Sequence, residues 1–282
     1  MQINSRTVTT NLFWRFLERC GAQGVTFIVS IVLARLLEPE VYGTIALVTV
    51  FITILQVFVD SGFGNALIQK NDADDTDFST VFYFNVVFSG VLYLLIFFAA
   101  PLIAKFYENE ALTPIIRVLS LNLLISGVKN VQQSYVSKNL IFKKFFFVTI
   151  SASIVSAIIG IGMAYAGFGV WALVLQSITS AVVSTIVLWF TVKWRPKLLF
   201  SFSRLKDLFS FGWKLLASSL IDTLYNNLRS LIIGKMYTAN DLAFYNKGKQ
   251  FPHLIVTNIN ASIDSVLLPT MSAIQDSRDA VK

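Results

Sequence analysis

Long apolar runs alternate with short polar breaks along almost the whole chain. Runs of about 20 apolar residues have the length that an α-helix needs to cross a hydrocarbon core. The turn Gly167-Phe168-Gly169 joins two of these runs into a helical hairpin. The pattern therefore predicts an all-α, polytopic transmembrane helix bundle. We predict about eight spans, at residues 11–35, 43–68, 79–104, 113–137, 145–166, 170–192, 209–234 and 253–274.

One arrangement of apolar and polar positions occurs twice in the chain. Residues 11–34 align with 210–233, and residues 51–61 align with 255–265. The matched positions are Trp14-Arg15 with Trp213-Lys214, and Thr53, Asp60 and Ser61 with Thr257, Asp264 and Ser265. A repeated pair of hydrophobic helices is typical of membrane transporters that are built from internal repeats.

The repeat predicts how the chain is divided. Residues 1–192 form a six-helix N-terminal lobe, residues 193–209 form a basic cytoplasmic linker, and residues 210–282 begin a second lobe. Only the first two helices of this second lobe are present. We therefore expect either a truncated fragment or a functional short form of a longer architecture.

Polar residues within four of the predicted spans recur every three or four positions, which places them on one helix face. A charged side chain at the centre of a span costs roughly 2.5–3.5 kcal/mol to insert, so we expect these faces to line a shared hydrophilic lumen between the halves. The alternative is that they join helices through hydrogen bonds, with Arg15 and Lys214 reaching the membrane interface. The four stripes are Arg15, Arg19, Gln23, Thr26 and Ser30; Thr49, Thr53, Gln56 and Asp60; Lys214, Ser218, Asp222, Tyr225 and Arg229; and His253, Thr257, Asn260 and Asp264.

The charges of the predicted lumen suggest what passes through it. Cations outnumber acids at membrane depth, and guanidinium groups bind phosphate oxygens through a planar fork of donors. We expect the cationic residues to bind an anionic passenger such as a lipid diphosphate, and the acids to serve coupling or gating. The cationic candidates are Arg15, Arg19, Arg117, Lys129, Lys214 and Arg229. The acidic candidates are Glu18, Asp60, Asp222 and Asp264.

Composition excludes several other classes of protein. Hydrophobic residues make up 55% of the chain and charged residues 14%, which is too apolar for an ordinary soluble domain. The net charge of +7 is spread over connectors and helix ends, without the basic soluble face of a nucleic-acid-binding protein. With one cysteine, one histidine and no phosphate-binding loop or nucleophile elbow, we expect no metal, no cofactor and no enzymatic activity.

The distribution of basic residues predicts the orientation. If the N-terminus lies inside, ten basic residues fall in inner connectors and five in outer ones. This bias favours a cytoplasmic N-terminus. The inner residues are Arg6, Lys70, Lys138, Lys143, Lys144, Lys193, Arg195, Lys197, Arg204 and Lys206, and the outer ones are Arg35, Lys105, Lys235, Lys247 and Lys249.

Two segments resemble a known family. Residues 36–43, Leu-Leu-Glu-Pro-Glu-Val-Tyr-Gly, and residues 58–69, Phe-Val-Asp-Ser-Gly-Phe-Gly-Asn-Ala-Leu-Ile-Gln, resemble the start of the polysaccharide-transporter branch of the multidrug/oligosaccharidyl-lipid/polysaccharide exporter superfamily. Residues 239–246 resemble the corresponding turn of the second half. The resemblance implies two six-helix lobes related by a two-fold axis along the membrane normal, and transport by alternating access.

The same resemblance implies a function. It points to a flippase of the bacterial inner membrane that moves an undecaprenyl-diphosphate-linked oligosaccharide for surface polysaccharide biosynthesis, such as lipopolysaccharide O-antigen or exopolysaccharide. Its expected partners are the lipid-linked oligosaccharide, the bilayer, and polysaccharide polymerases and glycosyltransferases of the same pathway. Three alternatives remain open: a multidrug-type exporter of small molecules, a truncated remnant that does not transport, and a membrane enzyme that elongates or ligates the glycan. The short outer connectors disfavour the enzyme.

Overall fold

The computed structural model of the protein describes residues 5–60, 63–70, 72–139, 141 and 143–249, apart from the side chains of residues 5–13, 15, 16, 19, 20, 69 and 211. These residues form helices joined by short connections, and no β-strand occurs among them. The helices are α1 (Ser5–Leu36), α2 (Pro39–Asp60), α3 (Phe63–Gln69), α4 (Asp75–Phe106), α5 (Leu112–Leu119), α6 (Leu121–Lys138), α7 (Lys143–Tyr165), α8 (Val170–Thr191) and α9 (Phe202–Met236). Residues 239–249 are also helical.

Five stretches in the described part of the chain are long and apolar enough to cross a membrane. They match the second to sixth predicted spans, of which the fifth and sixth were predicted to end one residue later. The stretches are Pro39–Ile68, Asp75–Phe106, Leu112–Lys138, Lys143–Tyr165 and Val170–Thr191. The predicted helical membrane bundle is therefore confirmed.

The other three predicted spans have different outcomes. The first falls on α1, whose apolar part is the shorter stretch Gly21–Leu36. The seventh falls on α9, a helix of 35 residues that is not among the five apolar stretches. The eighth, residues 253–274, lies outside the described residues. The total number of spans stays a prediction.

The connections between helices gather at two ends of the bundle. At one end, the Lys138 ammonium donates to the carbonyls of Leu67 and Lys70, and the Lys144 ammonium donates to the carbonyl of Thr191 at 2.5 Å. This end, which we call the basic end, holds the connections 70–74, 139–142 and 192–201. The opposite end holds the connections 37–38, 107–111, 166–169 and 237–238. The chain thus runs back and forth between the two ends.

The hairpin of α7 and α8 is the most extensive helix pair of the bundle. Four small residues of α7 are spaced four apart and buried, namely Ala152, Ser156, Gly160 and Ala164. Small residues at this spacing let two helix backbones approach closely. A Cβ on Gly160 would lie 3.0 Å from Gln176 of α8. The hairpin packs through α7 on α1 and through α8 on α6, and α6 packs in turn on α2 and α4.

Side-chain caps decide where two helices begin. Asp74 caps α4 by accepting from the backbone N–H groups of Thr76 at 2.9 Å and Asp77 at 3.0 Å. The Asp77 carboxylate accepts from the Asp74 N–H at 3.1 Å, which completes a capping box. Ser201 caps α9, so α9 starts at Phe202 and the predicted linker 193–209 is helical in its second half.

The two copies of the sequence repeat bend at matching places. A helix ends at Leu36 and at Met236, two residues follow without helix, and a new helix starts at residues 39 and 239. The two bends also touch, because a Cβ on Gly43 would collide with the backbone carbonyl of Ala239. The division of the chain into two lobes stays a prediction.

Candidate functional site

A polar cavity lies between α1, α2, α6, α7 and α8. In the described part of the chain it consists of three adjoining chambers of about 600, 400 and 240 Å³. Lys129 of α6 lines all three chambers. Hydroxyl-bearing side chains of neighbouring helices line more than one chamber each, so the three spaces form one continuous cavity around this lysine.

Many hydroxyl and amide side chains line the largest chamber, beside apolar ones such as Val29 and Leu33. Helix α8 contributes Ser177, Ser180 and Ser184, whose spacing of three and four places them on one face. The other helices contribute Thr26 and Ser30 from α1, Asn122 and Ser126 from α6, and Ser153 and Ser156 from α7. Groups of this kind both donate and accept hydrogen bonds. The chamber is therefore suited to a neutral, hydroxyl-rich ligand.

The smallest chamber holds an acid beside Lys129. The carboxylate of Asp60, at the end of α2, accepts from Gln56 Nε2 at 2.7 Å and from Asn130 Nδ2. Asn130 Nδ2 also donates to the carbonyl of Val59 at 3.2 Å, which anchors α6 to α2. The carboxylate and the Lys129 ammonium lie within electrostatic range of one another. Asp60 is thus held in place and partly neutralises Lys129.

The third chamber contains a second acid, Glu18 of α1. Thr149 Oγ1 of α7 donates to Glu18 Oε1 at 3.1 Å, so the carboxylate joins the two helices across the chamber. Gln133 and Ser137 of α6 line the same space as Lys129 and Glu18. Among the predicted site residues, Lys129, Asp60 and Glu18 are therefore brought to one cavity.

The remaining predicted residues lie elsewhere. The guanidinium of Arg117 packs 4.2 Å from the centre of the Phe97 ring of α4, and its Nε donates to the Phe97 carbonyl at 3.3 Å. Lys214, Asp222 and Arg229 are exposed on α9, where the Asp222 carboxylate accepts from Asn226 Nδ2 at 3.0 Å. None of these four described residues lines a chamber of the polar cavity.

Three further candidates fall outside what the structure describes. The side chains of Arg15 and Arg19 belong to α1 but are not described, and Asp264 lies beyond residue 249. Among the described lining residues, two lysines face two acids. The described wall of the cavity is thus balanced in charge, whereas the sequence predicted a cationic lumen.

Two kinds of lining group were not predicted from the sequence. Lys247, taken as a connector residue, is half-buried, lines the largest chamber and places its Nζ 4.4 Å from the centre of the Tyr42 ring. The serine faces of α7 and α8 were also missed. Their signal was the recurrence of serine every three or four positions, which charge-based inspection does not detect because serine interrupts an apolar run only weakly.

Five membrane-length helical stretches in the described part of the chain define a multi-pass membrane protein, and a polar cavity lies between its helices. Residues 32–282 match the sequence profile of the family described as polysaccharide biosynthesis protein, and the chain belongs to this family. The family resemblance noted in the sequence is therefore confirmed.

Relatives with assigned names match most of the chain. The teichuronic acid biosynthesis protein TuaB of Bacillus subtilis is 30% identical over 76% of the chain and 45% of its own length. The succinoglycan biosynthesis transport protein ExoT of Rhizobium meliloti is 25% identical over 98% of the chain and 56% of its own length. The lipopolysaccharide biosynthesis protein WzxC of Escherichia coli is 25% identical over 100% of the chain and 58% of its own length. The chain thus spans about half the length of these relatives.

Proposed function

We propose that the protein acts in moving a lipid-linked oligosaccharide across the membrane for surface polysaccharide biosynthesis. The observation that carries this proposal is the position of Lys129, a cation shared by all three chambers of a hydroxyl-rich cavity. Support also comes from the family and from a relative that is named as a transport protein.

The lining of the cavity matches the chemistry of such a substrate. An oligosaccharide presents many hydroxyl groups, which pair with serine, asparagine and glutamine side chains. Its diphosphate carries negative charge, which Lys129 attracts more strongly in a poorly hydrated cavity than in bulk water. A diphosphate sugar head group cannot cross hydrocarbon unaided, because its polar groups would lose their hydrogen bonds. The cavity offers replacement partners along the way.

Asp60 and Lys129 suggest how binding and release are coupled. Without substrate, the lysine is partly neutralised by the carboxylate. A diphosphate arriving at Lys129 competes with Asp60, which is then free to take up a proton or a coupling cation. In this proposal Glu18, Asp60, Asp222 and Asp264 are the groups for coupling or gating, and Arg15, Arg19, Arg117, Lys214 and Arg229 are further candidates for the diphosphate.

The proposal includes a place in the cell. We propose the bacterial inner membrane with a cytoplasmic N-terminus, so that substrate loads where lipid-linked glycans are assembled. Polysaccharide polymerases and glycosyltransferases of the pathway are the partners that would supply and consume the substrate. The transported glycan is the part of the substrate that the serine-lined chamber would recognise.

Translocation of a labelled lipid-linked oligosaccharide between the leaflets of proteoliposomes tests the role of Lys129. We expect Lys129→Ala to slow translocation about ten- to hundredfold, because a hydrogen bond to a charged group contributes about 1.5–3 kcal/mol. Lys129→Arg should retain most of the activity. Lys105→Ala, which removes an exposed lysine at the opposite end, is the matched control and should leave the rate unchanged. Equal rates for Lys129→Ala and the control would contradict the proposal.

A multidrug-type exporter is the second candidate, since Glu18 and Asp60 give the cavity two acids that suit a cationic drug. The same proteoliposomes, loaded with a cationic dye, distinguish the two functions. Dye efflux that needs Asp60 but not Lys129 would favour the exporter. Protein that inserts correctly and moves neither compound would instead favour a remnant without transport activity.

A further inference from the structure

Residues 192–201, which we call the strap, cross the basic end between α8 and α9 in a fixed path. The backbone N–H of Lys197 donates to Ser79 Oγ at 3.0 Å, and that of Ser201 donates to Thr80 Oγ1 at 3.1 Å. On the other side of the strap, Gln132 Nε2 donates to the carbonyl of Trp194 at 3.0 Å. The strap is thus bonded to α4 and α6 through its backbone.

Side chains on the inner face of the strap add to this attachment. The buried ring of Trp194 packs 5.7 Å from the Phe78 ring and 6.1 Å from the Tyr135 ring, measured between centroids. Its Nε1 donates to the carboxylate of Asp75 at 3.1 Å. The Lys197 ammonium pairs with the same carboxylate at 2.6 Å. The inner face therefore fixes which residues of the strap point outward.

Large apolar side chains occupy the outer face of the strap and the start of α9. Leu198 is 94% exposed, Phe200 is 57% exposed and Phe202 is 72% exposed. Their backbone is held by the bonds to α4, so they cannot turn inward without breaking those bonds. A contiguous exposed apolar patch of this kind is typical of a protein or membrane interaction site.

The end of the bundle that carries the patch has an excess of cations. Among the described residues of the basic end, basic side chains outnumber acidic ones by nine to five. The basic residues are Lys70, Lys138, Lys143, Lys144, Lys193, Arg195, Lys197, Arg204 and Lys206. The acidic residues are Asp72, Asp74, Asp75, Asp77 and Asp207. An apolar patch at an end with an excess of cations is suited to the interface of an anionic membrane, where the apolar groups insert and the excess cations contact lipid phosphates.

We propose that the strap and the start of α9 form an interfacial anchor that inserts Leu198, Phe200 and Phe202 among the head groups of anionic phospholipids. The strap leaves the bundle where the apolar helices α4 and α8 reach their ends, which is the level of the lipid head groups. This location selects lipid as the occupant of the patch. The anchor is independent of what the polar cavity transports, so either proposal can fail while the other stands.

Fluorescence quenching in vesicles tests the anchor. In a Cys20→Ser background, a polarity-sensitive fluorophore is attached through Leu198→Cys or, as matched control, through Asp72→Cys in the exposed acidic connection of the same end. The vesicles contain phosphatidylcholine alone or with phosphatidylglycerol, and lipid spin-labelled near the head group is the quencher. We expect about twofold stronger quenching at residue 198 than at residue 72. The difference in quenching between residues 198 and 72 should grow with the phosphatidylglycerol content. It should shrink with added salt, because salt screens the attraction between basic side chains and anionic lipid.

A second pair of variants separates the apolar and charged contributions. Lys193→Gln with Lys206→Gln should remove the dependence on phosphatidylglycerol while some quenching at residue 198 remains. Phe200→Ser should lower quenching in both kinds of vesicle. Equal quenching at residues 198 and 72 would overturn the proposal. So would a fluorophore at residue 198 that is shielded from the lipid quencher and from aqueous iodide alike, because protein would then cover the patch.

Discussion

The carboxylate of Asp74 makes several stabilising contacts at the basic end. It caps α4, completes the capping box with Asp77, and pairs with the guanidinium of Arg204 at 2.5 Å. The hydrogen bond from the Asp77 backbone N–H, helped by Arg204, holds the pKa of the Asp74 carboxyl below its usual value. Because the pKa is lowered in the folded state, the stabilisation is present above the unfolded pKa of about 3.9. This stabilisation is lost as the pH falls through the lower pKa that the Asp74 carboxyl has in the folded state.

Two substitutions of Asp74 separate the cap from the charge. Asp74→Ala removes both and should lower the free energy of unfolding by about 1 kcal/mol. Asp74→Asn keeps an oxygen that can cap the helix, so it should lower the free energy of unfolding by less than Asp74→Ala does. Thermal unfolding in detergent measures both changes. The gap between wild type and Asp74→Asn should narrow as the pH falls below about 4. Equal losses for both variants would show that the charge, and not the cap, matters.

Arg117 and Lys129 show what charge alone could predict at the residue scale. Both are cations in one apolar stretch, and both were predicted to bind the diphosphate. They are 12 positions apart, which is about 120° around a helix of 3.6 residues per turn. The break at Ser120 between α5 and α6 separates them further. Lys129 therefore faces the cavity while Arg117 packs on Phe97 of α4.

At the scale of elements, the α7–α8 contact depends on the size of single residues. Gly160 of α7 faces Gln176 of α8, whereas a Cβ on Gly162 would have nothing within 4 Å. We expect Gly160→Leu to destabilise the protein by about 1–3 kcal/mol, because the larger side chain forces the two helices apart. Gly162→Leu is the matched control and should change stability little. Thermal unfolding of the two variants measures the difference, and similar melting temperatures would contradict a close α7–α8 contact.

Hydropathy predicted the five apolar stretches well because each contains a membrane-length window with few charged residues. It placed α9 less well, because a charge or amide recurs on that helix at least every two turns or so. Helix ends depended on single side chains that hydropathy ignores. The acidic residues 72–77 lie between two predicted spans, yet Asp77 is fully buried and pairs with Lys70 at 2.8 Å.

At the scale of the whole molecule, the two ends differ in charge. Among the described residues, the opposite end carries three basic side chains against five acidic ones. They are Arg35, Lys105 and Lys235 against Glu38, Glu40, Glu108, Glu110 and Asp241. Because basic residues are retained on the cytoplasmic side of membranes, we expect the basic end to face the cytoplasm.

Labelling of single cysteines tests this orientation. In a Cys20→Ser background, Glu110→Cys at the opposite end should react with a membrane-impermeant maleimide in intact spheroplasts. Lys193→Cys at the basic end should react only after permeabilisation. Both positions are exposed, so accessibility within the protein does not limit either reaction. The reverse pattern would invert the proposed topology.

The position of the cavity could not be predicted from the sequence alone. The repeat suggested a lumen between two halves, and the described chambers lie mainly among α1, α2, α6, α7 and α8, with α3 and Lys247 of helix 239–249 also lining them. Those helices are brought together by packing between residues far apart in the chain, and periodicity reports only which face of a helix is polar. It does not report which other helix that face meets.

The contact between Gly43 and Ala239 has a mechanical consequence. At that point the start of α2 meets the start of helix 239–249 with main chain against main chain. No side chain lies between them that could swing into another rotamer and let one bend glide past the other. If the two bends move relative to one another during transport, this contact can act as a pivot. The bends can rotate about it or separate. A sideways displacement would make the two backbones collide.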